Sequence, residues 1–158
     1  MHHICEGSAV ADLSLFAGLI PRDHGLCVVS TVRPDASVHS SVVNAGVMVH
    51  PLTGDQCIAF VAAGGSRKLA HLRADHRITI VARAGWQWAA VEGAAEIVGP
   101  DDPHREISAD ALRRMLRDIF RAAGGEHDDW DTYDRVMAEE RRAAVLVKPS
   151  RSYSNPTG

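Results

Sequence analysis

Cysteine is scarce in this chain and scattered: Cys5, Cys27 and Cys57 are an odd number, far apart, and two of them lie in apolar, strand-like runs. That pattern argues against a disulfide frame and a zinc site, and reads as reduced thiols in the cytosol. An excess of one charge is missing too. With 17 Lys and Arg against 20 Asp and Glu the net charge is -3, so there is no general electrostatic footprint for nucleic acid or for an anionic membrane. The apolar run Leu13 to Ile20 is far too short to span a bilayer, and Glu6 and Asp12 stand before it where a basic cluster would be needed. Neither a membrane segment nor a secretory signal is expected.

Sharp enzyme signatures are also lacking. No Gly-x-Gly-x-x-Gly follows a strand, and there is no Walker loop, no Gly-x-Ser-x-Gly elbow and no His-Glu-x-x-His. The nine histidines are dispersed, and His71 and His76, five apart, do not share a helix face. No metal site is expected. The acidic stretch Glu126-His-Asp-Asp-Trp-Asp131 sits at a helix start, where carboxylates are favoured by the dipole alone. No repeat, low-complexity tract or linker divides the 158 residues, which suit a single domain, 1-158.

What is present is a succession of short apolar runs separated by turn signals. Ser8 to Ile20 reads as a helix with Val10, Leu13, Phe16, Leu19 and Ile20 on one side, ended by Pro21. Gly25 to Val32, Val38 to Val49 and Cys57 to Ala62 read as strands joined by the turns at Pro34-Asp35 and Pro51-Asp55, hence antiparallel. A helix over about 66-75 leads to strands at Ile78-Ala82 and Trp86-Val98. Helices over about 105-123 and 129-142 precede a closing strand, Ala143-Val147, and a tail from Pro149. Six strands with one short helix inserted and a helical excursion before the last fit a small antiparallel barrel of mainly β character, with peripheral helices.

Two stretches carry chemical information. In Val61-Ala-Ala-Gly-Gly-Ser-Arg-Lys-Leu-Ala-His-Leu72 a strand meets two glycines, and a hydroxyl and two cations then open a helix. Gly64 and Gly65 can take backbone angles closed to other residues, and Ser66 is a good N-cap. The free N-H groups of the first turn, with Ser66, Arg67 and Lys68, would hold a phosphate, although the same residues are ordinary capping chemistry. Lysine is otherwise nearly absent, Lys148 being the only other one, which favours a purpose for Lys68. The second stretch is the fifth strand. Regular alternation puts Val91, Ala95 and Ile97 on one face and Trp86 and Trp88 on the other with Glu92 and Glu96, whereas a bulge at Gly93 would change the phase and bury the tryptophans. If exposed, the two rings need a stacking ligand or a second subunit as cover.

Four pieces together resemble a known family: Val29-Ser-Thr-Val-Arg-Pro-Asp35, Gly65-Ser-Arg-Lys68 with Leu72-Arg-Ala-Asp-His-Arg77, Gly85-Trp-Gln-Trp-Ala-Ala-Val-Glu-Gly93, and Gly125-Glu-His-Asp-Asp-Trp130 continuing through Tyr133 to Arg142. From about Gly25 onward the chain is similar to the split-barrel flavin-binding proteins related to pyridoxamine 5'-phosphate oxidase, and within them to the actinobacterial group that uses the deazaflavin coenzyme F420. The resemblance implies a cytoplasmic homodimer of six-stranded antiparallel split barrels with cofactor sites between subunits. It assigns cofactor phosphate to Gly65, Ser66, Arg67 and Lys68, the ring border to His39, Ser40 and Ser41, and closure of the groove to Trp86 and Trp88 of the partner subunit. The implied activity is an F420-dependent oxidoreductase passing a hydride to or from a small unsaturated molecule. FMN is the alternative cofactor, and a non-catalytic flavin- or heme-binding protein the alternative class. No dedicated catalytic residue is assigned, since the coenzyme carries the chemistry. Arg67, Arg73 and Arg77 lean toward F420 with its polyacidic tail. Departures from the usual pattern are Asp35-Ala36 for Asp-Gly, Val38 for a proline, and His71 and His76 for Asn and Pro.

Overall fold

Turns at residues 33-37, 50-55 and 85-86 fold the apolar runs into hairpins of β1 (Leu26–Val32), β2 (Val38–Val49), β3 (Gln56–Ala62), β4 (Arg77–Ala84) and β5 (Gln87–Val98), and the chain ends in β6 (Ala143–Ser154). In this computed structural model, which describes residues 11-156, the strands close antiparallel in the order β1-β2-β3-β6-β5-β4. Four helices surround them: α1 (Ser14–Leu19, running into a 3-10 turn at Ile20–Asp23), α2 (Arg67–Ala74), α3 (Ala109–Ala122) and α4 (Trp130–Glu139). Cys5, Val10 and the predicted helical turn from Ser8 lie outside the described residues. Among the described residues no helix is long and apolar enough to cross a membrane.

The barrel interior is filled by alternate residues of every strand, such as Val29, Ala45, Phe60, Ile80, Val91 and Val145. Leu13, Phe16 and Leu19 join this cluster from the side of α1, which runs into the start of β1, and Leu69 and Leu72 join it from α2, which meets the other end of β1. The outer face is covered on one side only. There α3 and α4 bury Cys57, Ala59, Ala144 and Leu146 beneath Met115, Leu116, Ile119 and Tyr133. That is why β3 and the first half of β6 read as unbroken apolar runs: both of their faces are dry.

Several expectations are corrected. Ser108 caps α3 by accepting from the Ala111 amide at 3.1 Å, so that helix starts at Ala109 rather than 105. At the other end of the excursion α4 ends at Glu139, because Arg141 turns the chain with φ 50°. Asp129 accepts from the Thr132 amide at 3.1 Å, which gives part of the acidic stretch a capping role. Beyond Val147 the predicted tail is strand as far as Ser154, paired to β5. Pro149 is tolerated because β3 stops pairing at Val147, leaving that edge free of ladder bonds. The bulge lies in β6, not at Gly93: Glu92 pairs with Arg151 and Gly93 with Pro149, so Ser150 is the extra residue. The phase of β5 is therefore kept, and Val91, Ala95 and Ile97 face inward.

Candidate functional site

The corner between β3 and α2 is built as a helix entrance whose serine does not cap. Ser66 has the extended backbone of an N-cap, yet its side chain accepts no amide, and its Oγ is buried without a partner. Neither Gly64 nor Gly65 takes the left-handed conformation that the sequence suggests. Gly64 serves close approach instead, since a Cβ there would stand 2.6 Å from the Arg141 carbonyl oxygen. Lys68 is half-buried and Arg67 exposed. Among the described residues neither has a carboxylate partner, whereas Arg73 pairs with Asp102 and Arg77 with Asp75, both at 2.7 Å. Loss of water, and then the charge of Arg142, hold the Lys68 amine below its usual range. The corner opens on a cleft of about 420 Å³ lined by Ser66, Lys68, Asn44, Phe120, Tyr133 and Arg142 among others.

Strand alternation divides the three β2 residues. His39 and Ser41 share the inner parity of Val43 and Ala45, while Ser40 faces outward and its hydroxyl shares a hydrogen bond of 2.9 Å with Ser30. On the inner side the His39 ring meets the His71 ring of α2 edge-on, with centroids 5.2 Å apart. His71 Nδ1 in turn shares a hydrogen bond of 3.0 Å with Thr31 Oγ1, a hydroxyl in a residue only 1% exposed. Both His39 Nδ1 and Ser41 Oγ are buried and unpartnered. The His39 imidazole is held below its ordinary value of 6.5, first by loss of water and then by its basic neighbours Arg33, His71, Lys68 and Arg67.

Among the described residues the buried side-chain polar atoms without a partner are His39 Nδ1, Ser41 Oγ and Ser66 Oγ, and all three belong to residues singled out from sequence. Such atoms are rare in folded proteins because each forfeits its water for nothing. Here they accompany cations that no carboxylate balances. This donor set fits a phosphorylated, hydrogen-bonding ligand.

The tryptophans are elsewhere. Trp86 lies in the β4-β5 turn, 93% exposed, and Trp88 is half-buried, edge-on to Tyr153 at 6.1 Å. On β1 the neighbour of His39 is Thr31, whereas the turn bearing Trp86 adjoins the other end, where Cys27 pairs with Ala82. One chain therefore does not bring Trp86 and Trp88 to the Lys68 corner. Asn155 fixes their turn, donating to the Trp86 carbonyl at 2.7 Å and accepting from the Trp88 amide at 2.9 Å. The sequence assigns no role to Asn155, Arg33 or Thr31, although Thr31 and Arg33 lie in the stretch Val29 to Asp35 that carries the resemblance. Thr31 leaves a second signal, a polar residue on the parity of Cys27 and Val29. Cys27 and Cys57 are inert by burial, which pushes their thiols up to about 12 and about 11.

Solved structures share this architecture at low identity. A conserved hypothetical protein of Mycobacterium tuberculosis superposes with TM-score 0.63 at 19% identity, over 98% of this chain and 89% of that one. A protein described as an F420 reductase gives 0.58 at 14%, over 86% and 94%. A Clostridium acetobutylicum protein related to general stress protein 26, of the pyridoxinephosphate oxidase family, gives 0.59 at 11%, over 92% and 89%. These likenesses show the fold. The family model described as pyridoxamine 5'-phosphate oxidase matches residues 19-153, from the end of α1 almost to the end of β6 and across every residue of the groove, and the chain belongs to that family.

Proposed function

We propose that this protein is an oxidoreductase that binds a phosphorylated tricyclic cofactor, F420 in the leading reading, and moves a hydride between it and a small unsaturated organic molecule. The observation that carries this is the coincidence of three unpartnered buried polar atoms with the uncompensated charges of Arg67 and Lys68. The bound cofactor supplies the hydride chemistry. Lys68, Arg67 and Ser66 hold its phosphate by charge-assisted bonds, helped by the first-turn amides of α2. His39 and Ser41 offer hydrogen bonds to the polar edge of the ring, and the strand scaffold beneath them fixes its orientation.

A second copy of the chain completes the groove. Leu26, Val28, Val38 and Val42 are each more than a third exposed on the uncovered face of β1 and β2, and Trp86 and Trp88 reach the corner only from a partner subunit. FMN is the second reading, favoured by one finding: Arg73 and Arg77 are committed to carboxylates, so a long polyacidic tail has fewer free cations to meet. Titration with F420 and with FMN, read by fluorescence, tests the proposal; failure of both to bind at micromolar concentration removes it. Steady-state oxidation of reduced F420 with a quinone and enone panel separates an enzyme from a carrier, which binds without turnover.

A further inference from the structure

We infer that His39 takes up a proton when an anionic cofactor seats against Lys68 and Arg67, so that the loaded protein carries an imidazolium beside the ring where the empty one carries a neutral imidazole. The inference rests on the proposed reading of the corner as a phosphate site and assigns His39 a task within it.

The geometry supplies the coupling. Charged and titratable groups face His39 from two elements: Arg33 from the β1-β2 hairpin, and Arg67, Lys68 and His71 from α2. All are basic, and they are the charges that bear most on it; Glu92 and Arg77 lie farther along the barrel, in a cavity shared with Thr31 and Val38. Arg33 is fixed, donating to the Val38 carbonyl at 2.7 Å and to Ser37 Oγ at 3.3 Å. His71 is fixed by Thr31 Oγ1 at 3.0 Å and meets His39 edge-on. The imidazole is thus held between cations, with Nδ1 shut away from water and unbonded. An anion at Lys68 and Arg67 cancels part of that field.

The sign follows from linkage. Where the bound-state pKa exceeds the free-state pKa, binding takes up protons, and affinity rises as pH falls through that interval. With a cofactor bound, the hydride chemistry would be the cofactor's, and the His39 imidazolium would be a proton source held by this chain beside the ring.

The test is calorimetric titration of the intact protein with FMN and with F420 at pH 7 in buffers of different ionisation enthalpy, which reports protons exchanged per ligand bound. Wild type is expected to take up more protons than His39→Gln; the ligand phosphate's own proton balance is common to both and cancels in the difference. Lys68→Met, whose free His39 already lies in a weaker field, is expected to show a smaller uptake. Equal proton counts in wild type and His39→Gln, with ligand bound to both, overturn the inference while leaving the phosphate site intact. Absence of binding to wild type removes the underlying reading instead. Should His39→Gln not fold, the His39 ring resonances followed by NMR against pH, with and without saturating inorganic phosphate, decide the matter: an upward shift of the midpoint supports it and an unmoved midpoint refutes it.

Discussion

Replacing Lys68 by Met separates binding from stability, and the structure fixes opposite expectations for the two. The ammonium is half-buried, short of water and near Arg142, so the empty protein gains little from its charge. Met keeps the aliphatic stem that packs at the cleft and removes only the charge. Unfolding free energy is therefore expected to stay within about 0.5 kcal/mol of wild type or to rise. Binding should respond differently, because a lost charge-assisted bond to phosphate costs about 1.5 to 3 kcal/mol. That is a rise in Kd of roughly 10- to 150-fold. Fluorescence titration with FMN and F420, paired with urea unfolding of the empty protein, measures both. Riboflavin, which has the ring without the phosphate, should bind the variant and wild type alike. Raising salt from about 0.1 to 1 M shortens the Debye length from about 10 to 3 Å, so the gap between the two proteins should shrink. An FMN and F420 affinity unchanged within about threefold, or a stability loss as large as the binding loss, would refute the assignment of Lys68.

Other outcomes follow from particular contacts. Tyr133, 7% exposed, donates its hydroxyl to the Leu116 carbonyl at 3.0 Å; Tyr133→Phe should cost about 1 kcal/mol by urea unfolding. Ala36 takes φ 71° in the β1-β2 hairpin, a conformation costing an L-residue about 1 to 2 kcal/mol that Gly adopts freely. Set against the extra entropy of Gly, Ala36→Gly should raise stability by about 0.5 to 1 kcal/mol, and a fall in Tm would contradict this. The hydrogen bonds from Arg77 hold the Asp75 carboxyl at about 2, below its ordinary 3.8. A depressed carboxylate stabilises the fold above 3.8 and loses that contribution as pH falls through about 2. Asp75→Asn should therefore flatten the dependence of Tm on pH across that window.

How far the sequence could be read depends on whether each signal is local. Hairpin turns and alternation are local, and they predict β2 at its observed bounds, Val38–Val49. Pro149 reads as a stop because a sequence does not reveal which edge of a strand is free, and the predicted strand therefore ends at Val147 where β6 runs on to Ser154. In the candidate site, the Ser66-Arg67-Lys68 corner stands out in the sequence because lysine is so rare in this chain. The Thr31-His71-His39 chain of contacts does not, since it joins residues 40 and 32 positions apart in sequence through α2 folding back over β1 and β2. Likewise nothing near Arg73 or Arg77 in sequence tells that the first is neutralised by Asp102, 29 residues away, while the corner cations are left alone.

The first half of β2 has a different neighbour on each side, and this couples association to binding. Its inner residues, His39 and Ser41, carry two of the unpartnered atoms. Its outer residues, Val38 and Val42, belong to the uncovered apolar face with Val28. If a second copy covers that face, Val28→Asp places a carboxylate at the seam. Val28 is 42% exposed in one chain, so the substitution should leave monomer stability within about 0.5 kcal/mol. Burial of an unpaired polar group costs about 1 to 3 kcal/mol by the measure of protein substitutions, and more when it is charged. Two-fold symmetry doubles it, so dimerisation should weaken by at least roughly 30-fold. If, as proposed, Trp86 and Trp88 of a second copy close the groove, cofactor affinity should fall with it and recover as protein concentration rises, as mass action requires. Sedimentation of wild type as a dimer and of Val28→Asp as a monomer, with affinity tracking concentration, is the expected result. A Val28→Asp protein that stays dimeric and binds normally would place the seam on another face.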